Sequence, residues 1–411
     1  MMDEVMEKSK AAWLGEYPTH WDVKRIKNIF QEVESRSTTG TEDLLSVSHY
    51  TGVTRRKDNL ESDDEHVTSA KTLVGYKKVT AGDLVSNIML AWQGSYGISP
   101  YDGITSPAYC VYRCKPEYNP EYFGYLFSTN AFKAEFRRRS TGIIDSRLRL
   151  YTDKFFSIYS LVPPRHEQDE IVGRIKLQSE KVNRFIHKKE RLINVLKEQK
   201  QCIIDDNLKT SGENWKWVRL KNIATINDEA LSEQTDKTFV LRYIDIGNVD
   251  SDGRIAELQE FTFKNAPSRA RRIVKRGDVI VSTVRTYLRA ISLIEFDDNN
   301  LIASTGFAVL RPKSIVTADF LNLLLRGSYF IDAVSQNSYG VSYPAIKAST
   351  LSSLRVCLPH SINDQNQIIS KVKAETRSLD KAINEAEKEI ALIQEYKQSM
   401  ITEAVFGKKS D

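Results

Sequence analysis

Residues 163–208 read PPRHEQDEIVGRIKLQSEKVNRFIHKKERLINVLKEQKQCIIDDNL, and residues 363–407 read NDQNQIISKVKAETRSLDKAINEAEKEIALIQEYKQSMITEAVFG. Gln168 answers Gln365, Ile171 answers Ile368, and Lys200-Gln201 answers Lys397-Gln398. Each pair is 197 residues apart, so the two copies align without a gap. A period this long is no solenoid. It means two similar domains, each followed by the same long helix.

Apolar residues recur at helical spacing from Ile171 through Val182, Phe185, Leu192 and Leu196 to Ile203. In the second copy they run from Ile368 through Leu379, Ala382 and Ile393 to Met400. This is a heptad seam with polar interruptions, the pattern of a coiled-coil pair. A second stripe flanks it: Ile186, Ile193 and Ile204, then Ile383, Ile390 and Ile401. A two-helix seam does not need that much apolar width. These six isoleucines are therefore expected to meet either the globular domains or another protein. Only Lys209–Asn214 separates the first helix from the second domain. The second helix must then run back antiparallel to pair with the first. The expectation is a rod of roughly 60 Å with a domain at each end and an approximate two-fold axis across its middle.

The repeat continues inside the domains. Trp21, Arg25 and Lys27-Asn28-Ile29 answer Trp215, Arg219 and Lys221-Asn222-Ile223. TAGDLVSNIML at 80–90 answers KRGDVIVSTVR at 275–285, a Gly-Asp turn and then a strand. ITSPAYCVYRCKP at 104–116 answers LIASTGFAVLRPK at 301–313, a strand with an Arg near its end. Residues 121–138 and 318–336 both carry helical spacing. Gly-centred loops follow, STGIIDSRL and NSYGVSYPAI. Strands and helices agree while loops differ, as in two copies of one scaffold with different binding loops. The fold class is mixed α/β. The expected division is a first domain at 1–162, a first spacer helix at 163–208, a second domain at 209–358 and a second spacer helix at 359–411.

The chain of 411 residues, with 27% charged and 41% hydrophobic residues, has room for two or three cores. No apolar run reaches the roughly 18 residues of a membrane span. The first residues, MMDEVMEKSK, lack an apolar signal core, so a cytoplasmic protein is expected. Four cysteines make no disulfide framework and no zinc spacing. There is no Gly-x-x-x-x-Gly-Lys-Ser/Thr loop and no Gly-x-Gly-x-x-Gly. Asp63-Asp64-Glu65-His66 lacks the phosphate loop that would make it a helicase box. Asn119-Pro120-Glu121-Tyr122 is only superficially like a methyltransferase Asn-Pro-Pro-Tyr. The six histidines form no metal spacing and no visible triad. The expectation is a non-catalytic chain without a metal or cofactor of its own.

Positive charge clusters beside aromatic and amide residues. The first domain offers Arg55, Arg56, Lys57, Arg137, Arg139 and Arg147, and a polar loop with Trp92, Gln93 and Ser95. The second offers Arg271, Arg272, Arg285, Tyr287, Arg289, Tyr339, Tyr343 and Lys347. Any one group reads as solvated surface. Recurrence in corresponding regions of both halves points to a phosphate backbone, with polar loops close by to reach base edges.

With Trp13-Leu14-Gly15-Glu16-x-Pro18-x-His20-Trp21-x-Val23-x-Arg25-Ile26-Lys27, the Gly-Asp strands at 82–83 and 277–278, and Pro163-Pro164-x-x-Glu167-Gln168-x-x-Ile171, the chain resembles the specificity subunits of type I restriction–modification enzymes. In the second junction Pro359 and Gln365 stand two residues further apart than Pro164 and Gln168. The resemblance implies two target-recognition domains on double-stranded DNA, each reading one half of a split, non-palindromic target, with helices that set the gap. It implies two methyltransferase subunits docked on the helices and motor-nuclease subunits joining them. S-adenosylmethionine, ATP and Mg²⁺ would belong to those partners. A coiled-coil scaffold joining two protein-binding domains, or a DNA-modifying enzyme with a cryptic site, are the alternatives.

Overall fold

The computed structural model describes residues 6–8, 11–49, 51–56, 72–144, 147–209, 214–298 and 300–408. Tyr50, Lys57, the 63–66 acidic run and linker residues 210–213 lie outside the described residues. Compactness divides the chain into Met1–Lys189 with Lys388–Asp411, and Glu190–Glu387. Each unit thus takes in the start of one long helix and the end of the other.

The helices, in chain order, are α1 (Pro120–Phe127), α2 (Asn130–Arg139), α3 (Thr152–Ser157), α4 (Arg165–Leu208), α5 (Leu220–Ile223), α6 (Ala318–Arg326), α7 (Ser328–Gln336), α8 (Ala348–Ser353) and α9 (Ile362–Val405). The helical stretches expected at 121–138 and 318–336 are each broken into two. In the second unit the break is Gly327, whose extended backbone ends α6. A Cβ there would come within 2.7 Å of Leu208. Asp205 of α4 accepts from the Ser328 N–H at 2.8 Å and from its hydroxyl at 2.6 Å, so α4 caps the N-terminus of α7.

Both units are built on the same antiparallel four-stranded sheet. In the first unit its order is Phe30–Glu32, Tyr109–Cys114, Leu84–Asn87, Tyr96–Ile98. In the second it is Ala224–Ile226, Phe307–Pro312, Val279–Ser282, Ile291–Leu293. The domain's first and last strands close on each other, Asp22–Arg25 with Tyr159–Val162 and Trp215–Arg219 with Arg355–Pro359. Proline at the end of each last strand stops the ladder and sends the chain into its long helix. The second unit has a further sheet in which Val240–Ile244 runs parallel to Leu301–Ser304. At that place the described residues of the first unit form two antiparallel pairs, Leu45–Ser48 with Gly52–Arg55 and Lys77–Val79 with Gly103–Thr105, joined by the parallel bridge Leu44↔Ile104.

The first core is aromatic: Phe30, Phe123, Phe127, Phe132, Phe136 and Phe155 are buried together with Tyr112 and Tyr122. Val172 and Ile175 of α4, and Met400, Ile401 and Val405 of α9, join it. The Tyr122 hydroxyl donates to the Val405 carbonyl at 3.0 Å. Past α9, Gly407 turns at φ +68° against Pro18 and Trp21, and a Cβ would sit 2.6 Å from the proline ring. The second core is aliphatic, with Leu220, Val279, Leu321 and Leu325 packed beside Ile369 of α9.

The long helices pair antiparallel in each unit. In the first, Lys397 Nζ donates to Asn183 Oδ1 at 2.9 Å and Lys189 pairs with Glu389. In the second, Lys200 Nζ reaches Asp380 Oδ1 at 2.6 Å and Asn207 donates to Glu375 at 2.9 Å. As residue number rises on one helix it falls on the other. The seam keeps the expected positions Ile171, Ile175 and Val182 on α4 and Val372, Leu379, Ala386 and Met400 on α9, and takes in Ile193, Ile204, Ile383 and Ile401 from the flanking stripe. Four of the isoleucines assigned to an outside contact, Ile193, Ile204, Ile383 and Ile401, are only 2–9% exposed. Ile186 and Ile390 are half-buried. Phe185 and Leu192, assigned to the seam, are exposed instead. The reason is that two stripes at neighbouring angles compete for one seam, and β-branched isoleucine packs there better than the wider Phe185 or a stripe interrupted by Gln178 and Gln199.

Candidate nucleic-acid interface

In each unit, the hairpin formed by the third and fourth strands of the four-stranded sheet carries a 3-10 turn, Ala91–Gln93 or Thr286–Leu288. In each, the loop after the second short helix is closed by a pair of backbone hydrogen bonds. Thr141 and Arg149 exchange theirs at 3.0 Å, and Tyr339 and Ala345 at 2.9 Å. The end of that loop is tied to the hairpin by the next residue. The Leu150 N–H donates to the Ile88 carbonyl at 2.9 Å, and the Ile346 N–H to that of Thr283 at 2.8 Å. Two segments some sixty residues apart in sequence so form one tip, twice over.

A guanidinium lies over an aromatic ring at each tip: Arg137 over Trp92, and Arg285 over Tyr343, both 4.9 Å from the ring centroid. Such stacking holds a cation in place while leaving its N–H groups directed to the rim. In the second unit Arg285 and Arg289 flank the 3-10 turn, and both adopt left-handed backbone at φ +51° and +52°. Non-glycine residues avoid this region, and strain of this kind gathers at functional sites. Arg285, Tyr287 and Arg289 are exposed, as are Tyr339, Tyr343 and Lys347. Thr286 Oγ1 meets Ser338 Oγ at 3.1 Å beneath them. In the first unit Gln93, Arg137 and Arg147 are exposed. His49 and Lys133 approach Gly94 closely enough to touch a Cβ there.

Other sequence candidates lie elsewhere. Ser95 is 1% exposed, folded inside its turn. Arg139 is held with Arg138 on the buried Glu135, at 2.9 and 2.6 Å. Burial pushes the Glu135 carboxyl up, but the two guanidiniums outweigh it and hold it below the usual carboxylate range. Arg55 lies over the Tyr101 ring at 4.4 Å and faces Asp43 at 3.4 Å. The Arg56 N–H donates to Leu44. Arg271 stacks on Phe263 at 4.9 Å, and Arg272 is a half-buried strand residue bridged to Ala230. Arg55, Arg271 and Arg272 are strand residues outside the four-stranded sheet that carries the tip, and Arg56 directly follows one of those strands.

Sequence reasoning quoted two motifs without seeing what they do. The Gly-Asp turns place Asp83 and Asp278, 2% and 1% exposed, under the strand-end arginines. Arg113 grips Asp83 through Nε and Nη2 at 2.8 Å each. The same aspartates accept the N–H three residues back, of Thr80 and Lys275, at 2.8 Å. Gln168 and Gln365, both fully buried, clamp the long helices to the domains. Gln168 accepts from the Asn119 N–H and donates to the Pro163 carbonyl, both at 2.8 Å. Gln365 accepts from the Thr317 N–H and donates to the Ile315 carbonyl, both at 3.0 Å. Polar residues at equal places in both copies were the available signal.

Among the described residues no group of His, Cys, Asp or Glu could hold a metal ion. No helix there is long and apolar enough to cross a membrane.

Residues 212–390 match the family model for the type I restriction modification DNA specificity domain. Over that stretch the chain is similar to the DNA specificity domain of type I restriction–modification systems. Within that class, a stretch of 106 residues is 28% identical to the type I restriction enzyme HindI specificity subunit of Haemophilus influenzae. It covers 25% of this chain and 23% of that relative's length. The fold is similar over 96% of this chain and 99% of the other to a chain solved in work on complex assembly and conformational transition of the type I R-M system, with a TM-score of 0.61 and 16% identity. The HsdS subunit from Thermoanaerobacter tengcongensis aligns over 96% and 98%, with a TM-score of 0.42 and 17% identity.

Proposed function

We propose that this chain is the DNA-reading subunit of a type I restriction–modification complex, each domain taking one half of a bipartite, non-palindromic target. The observation that carries this reading is the duplicated tip. Each unit stacks a cation on an aromatic ring where its hairpin turn meets the segment that follows, Arg137 of α2 on Trp92 of the turn in the first and Arg285 of the turn on Tyr343 of the loop after α7 in the second, and the chain's second half matches a DNA specificity domain. Cations beside polar and aromatic groups bind phosphates and reach base edges. The loops at the two tips differ in sequence, so the two half-sites differ. The paired helices set the gap between them and dock two methyltransferase subunits, with motor-nuclease subunits joining in the cytoplasm. S-adenosylmethionine, ATP and Mg²⁺ serve those partners. With four of the six isoleucines buried and Ile186 and Ile390 half-buried, the docking face falls to Val195 and Leu392, 52% and 65% exposed at matching places of the two helices.

The chain should be expressed with the methyltransferase encoded beside it and adenine methylation mapped across a host genome. A split motif with a fixed gap, dependent on this chain, supports the reading. Methylation at the same motif without the chain overturns it.

A further inference from the structure

The two most exposed large hydrophobic side chains among the described residues are Val341, at 102%, and Ile143, at 94%. They come from loops of unlike sequence, yet they stand at equivalent positions. Each follows a glycine, Gly142 or Gly340, inside the loop closed by the Thr141–Arg149 or Tyr339–Ala345 pair. Each sits on the tip that carries the stacked guanidinium. Scattered apolar surface residues need no explanation. Two β-branched residues at the summits of two duplicated, cation-bearing loops do.

The backbone is shaped to hold them out. Gly340 turns at φ +112°, and a Cβ on it would stand 3.0 Å from the Tyr343 carbonyl oxygen. A Cβ on Gly142 would stand 2.5 Å from the Arg147 carbonyl oxygen. In both loops the glycine allows the chain to fold back on itself, and the next residue is left at the crest. Among the described residues of its own unit none covers it. The cations beside it draw the tip to phosphates, which puts the crest over the groove between them.

Resting on the DNA-reading function above, we infer that Ile143 and Val341 are specificity-determining residues, each packing on the C5-methyl of a thymine in the major groove of its own half-site. An aliphatic side chain offers no hydrogen bond, so among base edges in that groove the thymine methyl is its apolar partner. The contact would favour thymine over cytosine at one position of each half-site.

The test uses the chain in complex with its methyltransferase and a duplex carrying the target found by methylation mapping, with each thymine replaced in turn by deoxyuridine. The wild-type complex should lose about fivefold to tenfold in affinity at one position in each half-site, the range of one apolar base contact. Ile143→Ala should lose a similar factor on the unmodified duplex and become indifferent to deoxyuridine at one position of the first half-site only. Val341→Ala should do the same in the second. Both side chains are exposed, so neither change threatens the fold. Variants that keep the full deoxyuridine penalty at every position overturn the inference. So does a rise in 2-aminopurine fluorescence on binding that Ile143→Ala or Val341→Ala abolishes, since it would make the residue a wedge between base pairs. Failure of the wild-type complex to bind the mapped duplex would instead overturn the DNA-reading function itself.

Discussion

The Asp278 carboxylate takes both prongs of the Arg311 guanidinium, Nε on Oδ1 and Nη2 on Oδ2, at 2.9 Å each. Asp278 is buried at the start of a central strand, and the arginine ends the strand beside it. Arg311 also donates to Glu229 at 2.7 Å, and the Asp278 grip and then Glu229 raise its pKa further. Asp278→Ala leaves that guanidinium without its buried partner and frees the Lys275 N–H. It should destabilise the second unit by about 3 kcal/mol. Asp278→Asn, which keeps the shape, should cost less. Urea unfolding followed with probes in each unit checks this. Asp83→Ala should act in the same way on the first unit and leave the second unit's transition in place.

Gln365 is a single uncharged side chain holding two backbone groups at the start of α9, and Gln168 does the same for α4. Gln365→Ala orphans the Thr317 N–H and the Ile315 carbonyl inside the protein. Each buried unpaired group costs about 1–3 kcal/mol. Amide exchange at Thr317 and in the first turns of α9 should rise well before exchange in the central strands does. Gln365→Glu should be nearly as harmful, because a carboxylate can still accept from Thr317 but cannot donate to Ile315. Equal protection in wild type and Gln365→Ala would show that the helix is held by its apolar face alone.

Much of the architecture was legible because it is written twice. The repeat gave the two domains, their matching strands and helices, and the antiparallel long helices, since periodicity and a short linker constrain them strongly. The middle of the seam was not legible. Phe185 and Ile186 are neighbours on the helix surface, and which one faces inward is decided by packing, not by hydrophobicity. The site was half legible. Arg137 and Trp92, or Arg285 and Tyr343, lie 45 and 58 residues apart in sequence. Only the fold shows that each pair stacks, and that Arg139, two residues from Arg137, turns instead to Glu135.

Glu135 gives the fold of the first unit a pH dependence. Its carboxyl titrates below its ordinary value in the folded chain, so the unfolded chain binds the proton more tightly. The stabilisation it supplies is complete above the ordinary carboxylate pKa of roughly 4.3 and is lost as pH falls through the lower folded value. Glu135→Gln removes the charge but keeps an acceptor for Arg138 and Arg139. At pH 7 the variant should be less stable by about 1–2 kcal/mol, and the difference should shrink steadily below pH 4.5. A difference that stays constant down to pH 3 would assign the role to packing rather than charge.

Arg285 and Arg289 offer the sharpest test of the tip, because they are strained as well as charged. Both hold left-handed backbone that an L-residue other than glycine, asparagine or aspartate adopts at a cost of about 1 kcal/mol. Glycine relieves that strain, whereas alanine does not. If these side chains serve phosphates, Arg285→Gly and Arg289→Gly should raise the melting temperature of the second unit while weakening DNA binding. Arg285→Ala and Arg289→Ala should weaken binding without the gain in stability. For each phosphate contact removed, the slope of log K against log salt should flatten by about 0.9. Titrations at four salt concentrations would separate this from loss of base reading, which weakens binding but leaves the slope as it was. An unchanged slope in the double variant would take both arginines off the phosphate backbone, and the left-handed turn would then be only a way of closing the hairpin.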